Sequence, residues 1–175
     1  SAVREDGSWP IETNLSTWTT SLTLVALAAG GEDLQQHECL DWLLDCQQRV
    51  LHPVTGAAAG GWGWSDLPGA VPDAADTPAA LLALERWIAP GGCPEEPRIV
   101  AAAADGVEWL LNAQQPDGGF PIFVGGWGKR TANRGGADLT AHSLRALAAW
   151  AKHLQSHSLA ELPTRLEQSA LTSRV

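Results

Sequence analysis

The sequence predicts an all-α protein built from about three helical hairpins. Three segments end in the same pattern of Thr, Leu and Ala, and aligning their Ala-Leu pairs superimposes Thr20, Thr77 and Thr140. These segments are residues 19–27, 76–84 and 139–147. Their period of roughly 60 residues is too long for one short hairpin and suits two helices joined by a long turn. We therefore expect three repeats, each made of an outer helix, a loop and an inner helix.

Periodic apolar side chains predict the outer helices of the second and third repeats. In residues 38–48, Cys39, Trp42 and Cys46 recur at the spacing of one helix face, and residues 101–115 repeat this pattern. Both segments are expected to be amphipathic helices with one buried face. The tryptophans on helix faces are expected in the core: Trp42, Trp87, Trp109 and Trp150.

Loops rich in glycine and aromatic residues precede the inner helices. They are residues 6–10, 60–64 and 117–121. Glycine allows positive φ in a tight turn, and the aromatic residue that follows can stack on neighbouring structure. Three such hairpins would form part of an α/α toroid, an α/α barrel that closes only with further repeats. We expect residues 1–153 to form this segment and residues 154–175 to form a C-terminal tail or a short helix.

Composition and charge exclude several classes of function. The chain has 11 basic and 20 acidic residues, and its formal net charge of -9 opposes binding to nucleic acid by charge attraction. No apolar run is long enough to span a membrane and no signal peptide is visible, so we expect a cytoplasmic location and leave open shallow contact with a membrane face. The odd number of cysteines favours a reducing compartment, and no metal site is expected.

The ends of the chain predict that it acts as part of a larger assembly. It has no Met at all and opens on Asp6-Gly7-Ser8-Trp9 as though a helix should precede it, so we expect a fragment or a processed chain. An open arc of helices leaves apolar faces at both ends. We therefore expect self-association or pairing with missing repeats.

The segment between the second loop and its inner helix carries an acidic motif. Its sequence is Val-Pro-Asp-Ala-Ala-Asp-Thr over residues 71–77. It resembles the Asp-x-Asp-Asp-Thr signature of class II terpene cyclases of the squalene-hopene cyclase type. Asp73 and Asp76 match the first and last acids of that signature, whereas Ala75 stands where the signature has its central acid.

Two further segments extend the resemblance over roughly residues 6–150. Asp138-Leu-Thr-Ala-His142 is similar to the family's Asp-Val-Thr-Ala-His segment, and it lies on the next inner helix in the family's order. Residues 109–120 closely match the family's QW repeat, in which a Gln near a helix end is followed by Gly-x-aromatic, and residues 42–47 begin another copy.

The resemblance implies cyclisation of a squalene-like polyprenoid, started by protonation and needing neither metal nor cofactor. It places Asp73 and Asp76 in the acid site, His142 in support of that site and Asp138 beside it. In the family the central aspartate gives the proton, so Ala75 implies that the activity is impaired here. Cyclisation also needs aromatic faces that stabilise carbocations. The aromatic residues in loops or at helix starts are the candidates to bind substrate: Trp18, Trp62, Trp64 and Trp127.

Other interpretations remain open at this point. Acids before a helix suit its dipole, and Thr77-Pro78 makes a good N-cap and N1 pair, so Asp73, Asp76 and Asp138 could be capping residues alone. His142 could equally be a core histidine. As a whole, the chain could be a non-catalytic α/α-toroid module that binds isoprenoids or assembles with proteins.

Overall fold

The computed structural model describes residues 14–88, 92–122 and 136–154 of the chain. Within these ranges it contains five α-helices and a short 3-10 helix at Leu34–Gln36. The α-helices are α1 (Ser16–Ala29), α2 (Leu40–Asp45), α3 (Asp76–Trp87), α4 (Glu96–Ala113) and α5 (Ala137–Leu154). The described part has no β-strand, apart from an isolated bridge between Gln47 and Trp62. The predicted all-α class is confirmed.

The central helix of this arrangement is α3, which is buried along almost its whole length. It packs against both α1 and α5, and α4 packs against both α3 and α5. The inner helices of the three repeats are therefore neighbours in chain order. This arrangement is compatible with part of an α/α toroid.

Equivalent hydrogen bonds join loop and inner helix in the second and third repeats. The hydroxyl of Thr77 accepts a hydrogen bond from the backbone N–H of Trp62 at 2.9 Å and donates one to the Trp62 carbonyl at 3.1 Å. In the next repeat the hydroxyl of Thr140 accepts from the backbone N–H of Phe120 at 3.3 Å. Sequence alignment superimposes the two threonines, and the structure gives them the same partner position. The corresponding loop of the first repeat, residues 6–10, lies outside the described residues.

Core tryptophans anchor these elements to one another. Trp87, Trp109 and Trp150 are buried as predicted, and Trp42 is half-buried. The indole N–H of Trp150 on α5 donates to the carbonyl of Leu81 on α3 at 2.8 Å. Buried indole N–H groups need such an acceptor, and this one joins two adjacent inner helices.

Periodicity predicts an outer helix over residues 38–48 in the second repeat, but the helix found there, α2, covers only Leu40–Asp45. It ends at Asp45 because the backbone beyond it pairs with the glycine-rich loop instead of continuing the helix. The buried side chain of Gln47 donates to the carbonyls of Gly60 at 2.7 Å and Ala102 at 2.8 Å. By contrast, α4 begins at Glu96, before the predicted residue 101, with Pro97 in its first turn.

Several predictions stay predictions. The loop at 6–10 and nearly all of the expected tail at 154–175 lie outside the described residues. Among the described helices none has the length and apolar character needed to cross a membrane. Self-association, shallow membrane contact and a cytoplasmic location are likewise untested.

Candidate functional site

The acidic segment forms the start of α3, and Asp73 shapes that start. Its carboxylate oxygen Oδ1 accepts hydrogen bonds from the backbone N–H groups of Ala75 at 2.8 Å and Asp76 at 2.7 Å. The helix begins at Asp76, so the expectation that Thr77 is its N-cap is wrong. The Thr77 hydroxyl is already bound to the loop at Trp62, and Asp73 satisfies free N–H groups of the helix in its place.

Asp73 and Asp76 form a pair of buried carboxyl groups. Their exposed fractions are only 3% and 4%. Burial raises the pKa of Asp76 to about 9, and the negative charge of Asp73 beside it acts in the same direction. Burial also raises the pKa of Asp73, but hydrogen bonds from Asp76 and from the backbone oppose that rise. The pair therefore retains a proton near neutral pH, which the two carboxyl groups share.

Both carboxyl groups line an open cavity of about 450 Å³. Trp18 from α1, Trp64 from the second loop and Ala75 itself form other parts of its wall. Most of the lining is apolar, and the volume is in the range of small-molecule sites. The structure thus brings four predicted site residues together around one cavity, with the methyl group of Ala75 among them.

His142 approaches this site through Trp18. The two rings are in edge-to-face contact, with 6.0 Å between their centroids and 65° between their planes. The Nε2 atom of His142 is buried and has no hydrogen-bond partner among the described residues. Burial lowers the pKa of His142, and the positive charge of Arg145 on the same helix lowers it further. The neutral imidazole of His142 therefore packs against Trp18, which lines the cavity, and His142 does not line the cavity itself.

Three other predicted residues are not part of this wall. Trp62 is fully buried in the core, where its indole N–H donates to the carbonyl of Leu43 at 2.8 Å. Asp138 is exposed in the first turn of α5 and does not line the cavity. Trp127 lies outside the described residues.

Sequence reasoning missed two apolar residues of the wall, Leu15 and Ile122. The carbonyl of Ile122 also accepts a hydrogen bond from the N–H of Ala74 at 3.1 Å, which ties the third loop to the acidic segment. The alignment of the loop repeats could have identified Ile122 as a wall residue. If Trp62 is aligned with Phe120, then Trp64 is aligned with Ile122, so the same repeat position supplies both wall residues.

The described residues bring no cluster of metal-ligating side chains to this site. In residues 14–88, 92–122 and 136–154, no group of three or more His, Cys, Asp or Glu side chains could hold a metal ion. The three cysteines are free. The chemistry available at the cavity is that of one shared carboxylic proton beside aromatic rings.

Two curated proteins are similar to this chain. Sporulenol synthase of Bacillus subtilis (strain 168) is 35% identical over 121 residues, which cover 65% of this chain and 18% of the relative. Enfumafungin synthase of Hormonema carpetanum is 29% identical over 126 residues, covering 67% of this chain and 9% of the relative. No protein-family model matches the chain. The chain spans less than a fifth of the length of either relative. Both relatives are terpene cyclases, and over about two thirds of its length the chain is similar to them.

Proposed function

We propose that this chain is the acid-bearing segment of a class II terpene cyclase-like protein. Its cavity would hold one end of a squalene-like polyprenoid. The observation that carries the proposal is the pair of buried carboxyl groups, Asp73 and Asp76, on the wall of an otherwise largely apolar cavity. Similarity to two terpene cyclases supports the same class.

The walls of the cavity suit the stabilisation of carbocations, which are formed in the later steps of such a reaction, better than the protonation that starts it. The rings of Trp18 and Trp64 offer the negative π faces that stabilise cations. The first step, however, needs an acid strong enough to protonate a carbon-carbon double bond. Ala75 has no proton to give, and a carboxyl group with a pKa of about 9, as in Asp76, is a weak acid. We therefore propose that initiation is impaired in the protein as it stands.

A second candidate is a non-catalytic module that binds an isoprenoid. The half-buried methyl group of Ala75 on the cavity wall favours it, because the cavity is retained while the central acid is absent. Under this alternative Asp73 serves as the cap of α3, which its two backbone hydrogen bonds support.

The test compares the protein as found with its Ala75→Asp variant. Each is incubated with squalene and with shorter polyprenoids, and products are identified by mass spectrometry. Ala75→Asn is the matched control, because it adds nearly the same volume without an acidic proton. Cyclised product from the Asp variant alone supports an impaired cyclase. Product from the unchanged protein would contradict impairment, and no product from any folded form would favour the binding module.

A further inference from the structure

The first inner helix, α1, exposes a face that the other two inner helices bury. Repeat alignment places Ala26 of α1 with Ala83 of α3 and Ala146 of α5. Ala83 and Ala146 are fully buried, whereas Ala26 is exposed. Leu22, one turn before Ala26, is 41% exposed, although its counterpart Ala79 on α3 is buried. We call these exposed residues the open face of α1: Thr19, Leu22, Thr23 and Ala26.

The last inner helix, α5, is exposed at different repeat positions. Its Ala141 and Ala148 are exposed, and alignment places them with Ser21 and Ala28 of α1, which are buried and half-buried. The two end helices therefore leave opposite faces uncovered. Opposite faces are what the two ends of a head-to-tail row leave open. The open face of α5 consists of residues three or four positions apart: Asp138, Ala141, Arg145, Ala148 and Lys152.

The open face of α1 carries no charge. No acidic residue, no basic residue and no His occurs in Ser16–Ala29. A surface helix ordinarily carries charged residues on its solvent side, so this face suits contact with another helix better than contact with water. On α5 the two alanines alternate with charged residues. The long stems of Arg145 and Lys152 can pack against a neighbour while their charged ends stay in water.

We propose that the open face of α1 binds the open face of α5 in a second copy of this chain. The contact would continue the series in which α1 packs against α3 and α3 against α5. Within the chain the bonded Trp150 of α5 and Leu81 of α3 occupy different repeat positions, as a head-to-tail contact requires. Such a contact joins two different faces, and it closes a ring if the rotation between copies allows. It does not depend on the proposed function.

The test measures sedimentation velocity of the whole chain from low to high micromolar concentration. Three variants each replace one exposed helical alanine with Glu. Ala26→Glu obstructs the open face of α1, and Ala148→Glu obstructs that of α5. Ala101→Glu, at an exposed position of α4, is the matched control, because it makes the same change of side chain and charge away from both faces. Urea unfolding establishes that each variant is folded.

We expect the unchanged protein and Ala101→Glu to sediment faster as their concentration rises. Ala26→Glu and Ala148→Glu should each associate at least about tenfold more weakly, because the contact would bury an unpaired carboxylate. An equimolar mixture of these two variants should nevertheless form a dimer, since each supplies the face that the other lacks. Dimers in the mixture would also show that both variants keep their remaining face intact.

Other results would overturn the inference in different ways. An unchanged protein that stays monomeric at all concentrations would reject the contact and assign the open face of α1 to another occupant, such as further helical repeats. Association that survives Ala148→Glu but not Ala26→Glu, without dimers in the mixture, would show that two copies of α1 meet each other. Equal association of all three variants would place the contact elsewhere on the chain.

Discussion

Replacing Asp76 with Asn is expected to remove a pH dependence from the stability of this protein. The native pKa of Asp76, about 9, lies far above the ordinary value of 3.8. Between these two values the folded state holds one proton that the unfolded state has lost, so the free energy of unfolding falls as the pH rises. This stability is fully present below the unfolded pKa and is lost as the pH rises through the native pKa.

The size of the effect follows from a single proton. One proton of difference between the two states changes the free energy of unfolding by about 1.4 kcal/mol per pH unit. From pH 7 to pH 8, the stability of the protein should therefore fall relative to Asp76→Asn by up to about 1.4 kcal/mol. Burial lowers the pKa of His142, so its ring is neutral throughout this window and does not mask the slope.

Urea unfolding at several pH values, followed by tryptophan fluorescence, measures this difference. The matched control is Glu108→Gln, which removes one acid from an exposed position on α4. The control should follow the unchanged protein. A constant difference between the protein and Asp76→Asn from pH 7 to pH 8 would refute the reasoning, because it would show that Asp76 is already ionised in the folded state.

Three further substitutions test the contacts that position the site, each by urea unfolding. Thr77→Val leaves the buried N–H of Trp62 without its acceptor and should cost about 1–3 kcal/mol, whereas Thr23→Val, on the exposed face of α1, should cost less than about 0.5 kcal/mol. Equal losses would reject the role of the Thr77 hydroxyl. Gln47→Leu leaves the Gly60 carbonyl without this donor and removes the second donor of the Ala102 carbonyl, which keeps its bond within α4. It should cost about 1–3 kcal/mol, so an unchanged midpoint would contradict its bridging role. Gly106→Ala places a methyl group 2.7 Å from the Trp62 ring, so it should destabilise the protein although Ala favours helices by about 1 kcal/mol. A gain in stability would show that the ring can move aside.

The repeats and the all-α class could be predicted because short stretches of neighbouring residues carry the patterns that indicate them. Alignment of Thr77 with Thr140 needs only the sequence, and the structure gives both hydroxyls an equivalent loop partner. The limits of the helices were harder to predict. The resemblance of residues 42–47 to a QW repeat places Gln47 near a helix end, but no local pattern identifies the carbonyls of Gly60 and Ala102 as its partners.

The site could be predicted in part for a similar reason. Trp18 and Trp64 were chosen as aromatic residues near helix starts, and both reach the cavity. Trp62, only two residues from Trp64, is instead held in the core by a hydrogen bond to Leu43. That difference depends on the packing of α2 against the loop, which no local pattern reveals. Ile122 was missed because it is neither acidic nor aromatic, although its repeat position matches that of Trp64.

The start of α3 also explains why the central acid can be absent without loss of the helix. Asp73 supplies the cap and Thr77 fixes the loop, so neither task falls to Ala75. Ala75 directly precedes α3, makes no side-chain capping bond and is half-buried on the cavity wall. An aspartate at position 75 finds no free N–H to cap, because the Thr77 N–H already donates to the Asp73 carbonyl and Pro78 has none. It also places a third carboxyl group beside the buried Asp73 and Asp76, so Ala75→Asp should lower the free energy of unfolding. An absence of product from that variant therefore counts against the cyclase chemistry only when urea unfolding shows that the variant is folded under the conditions of the assay.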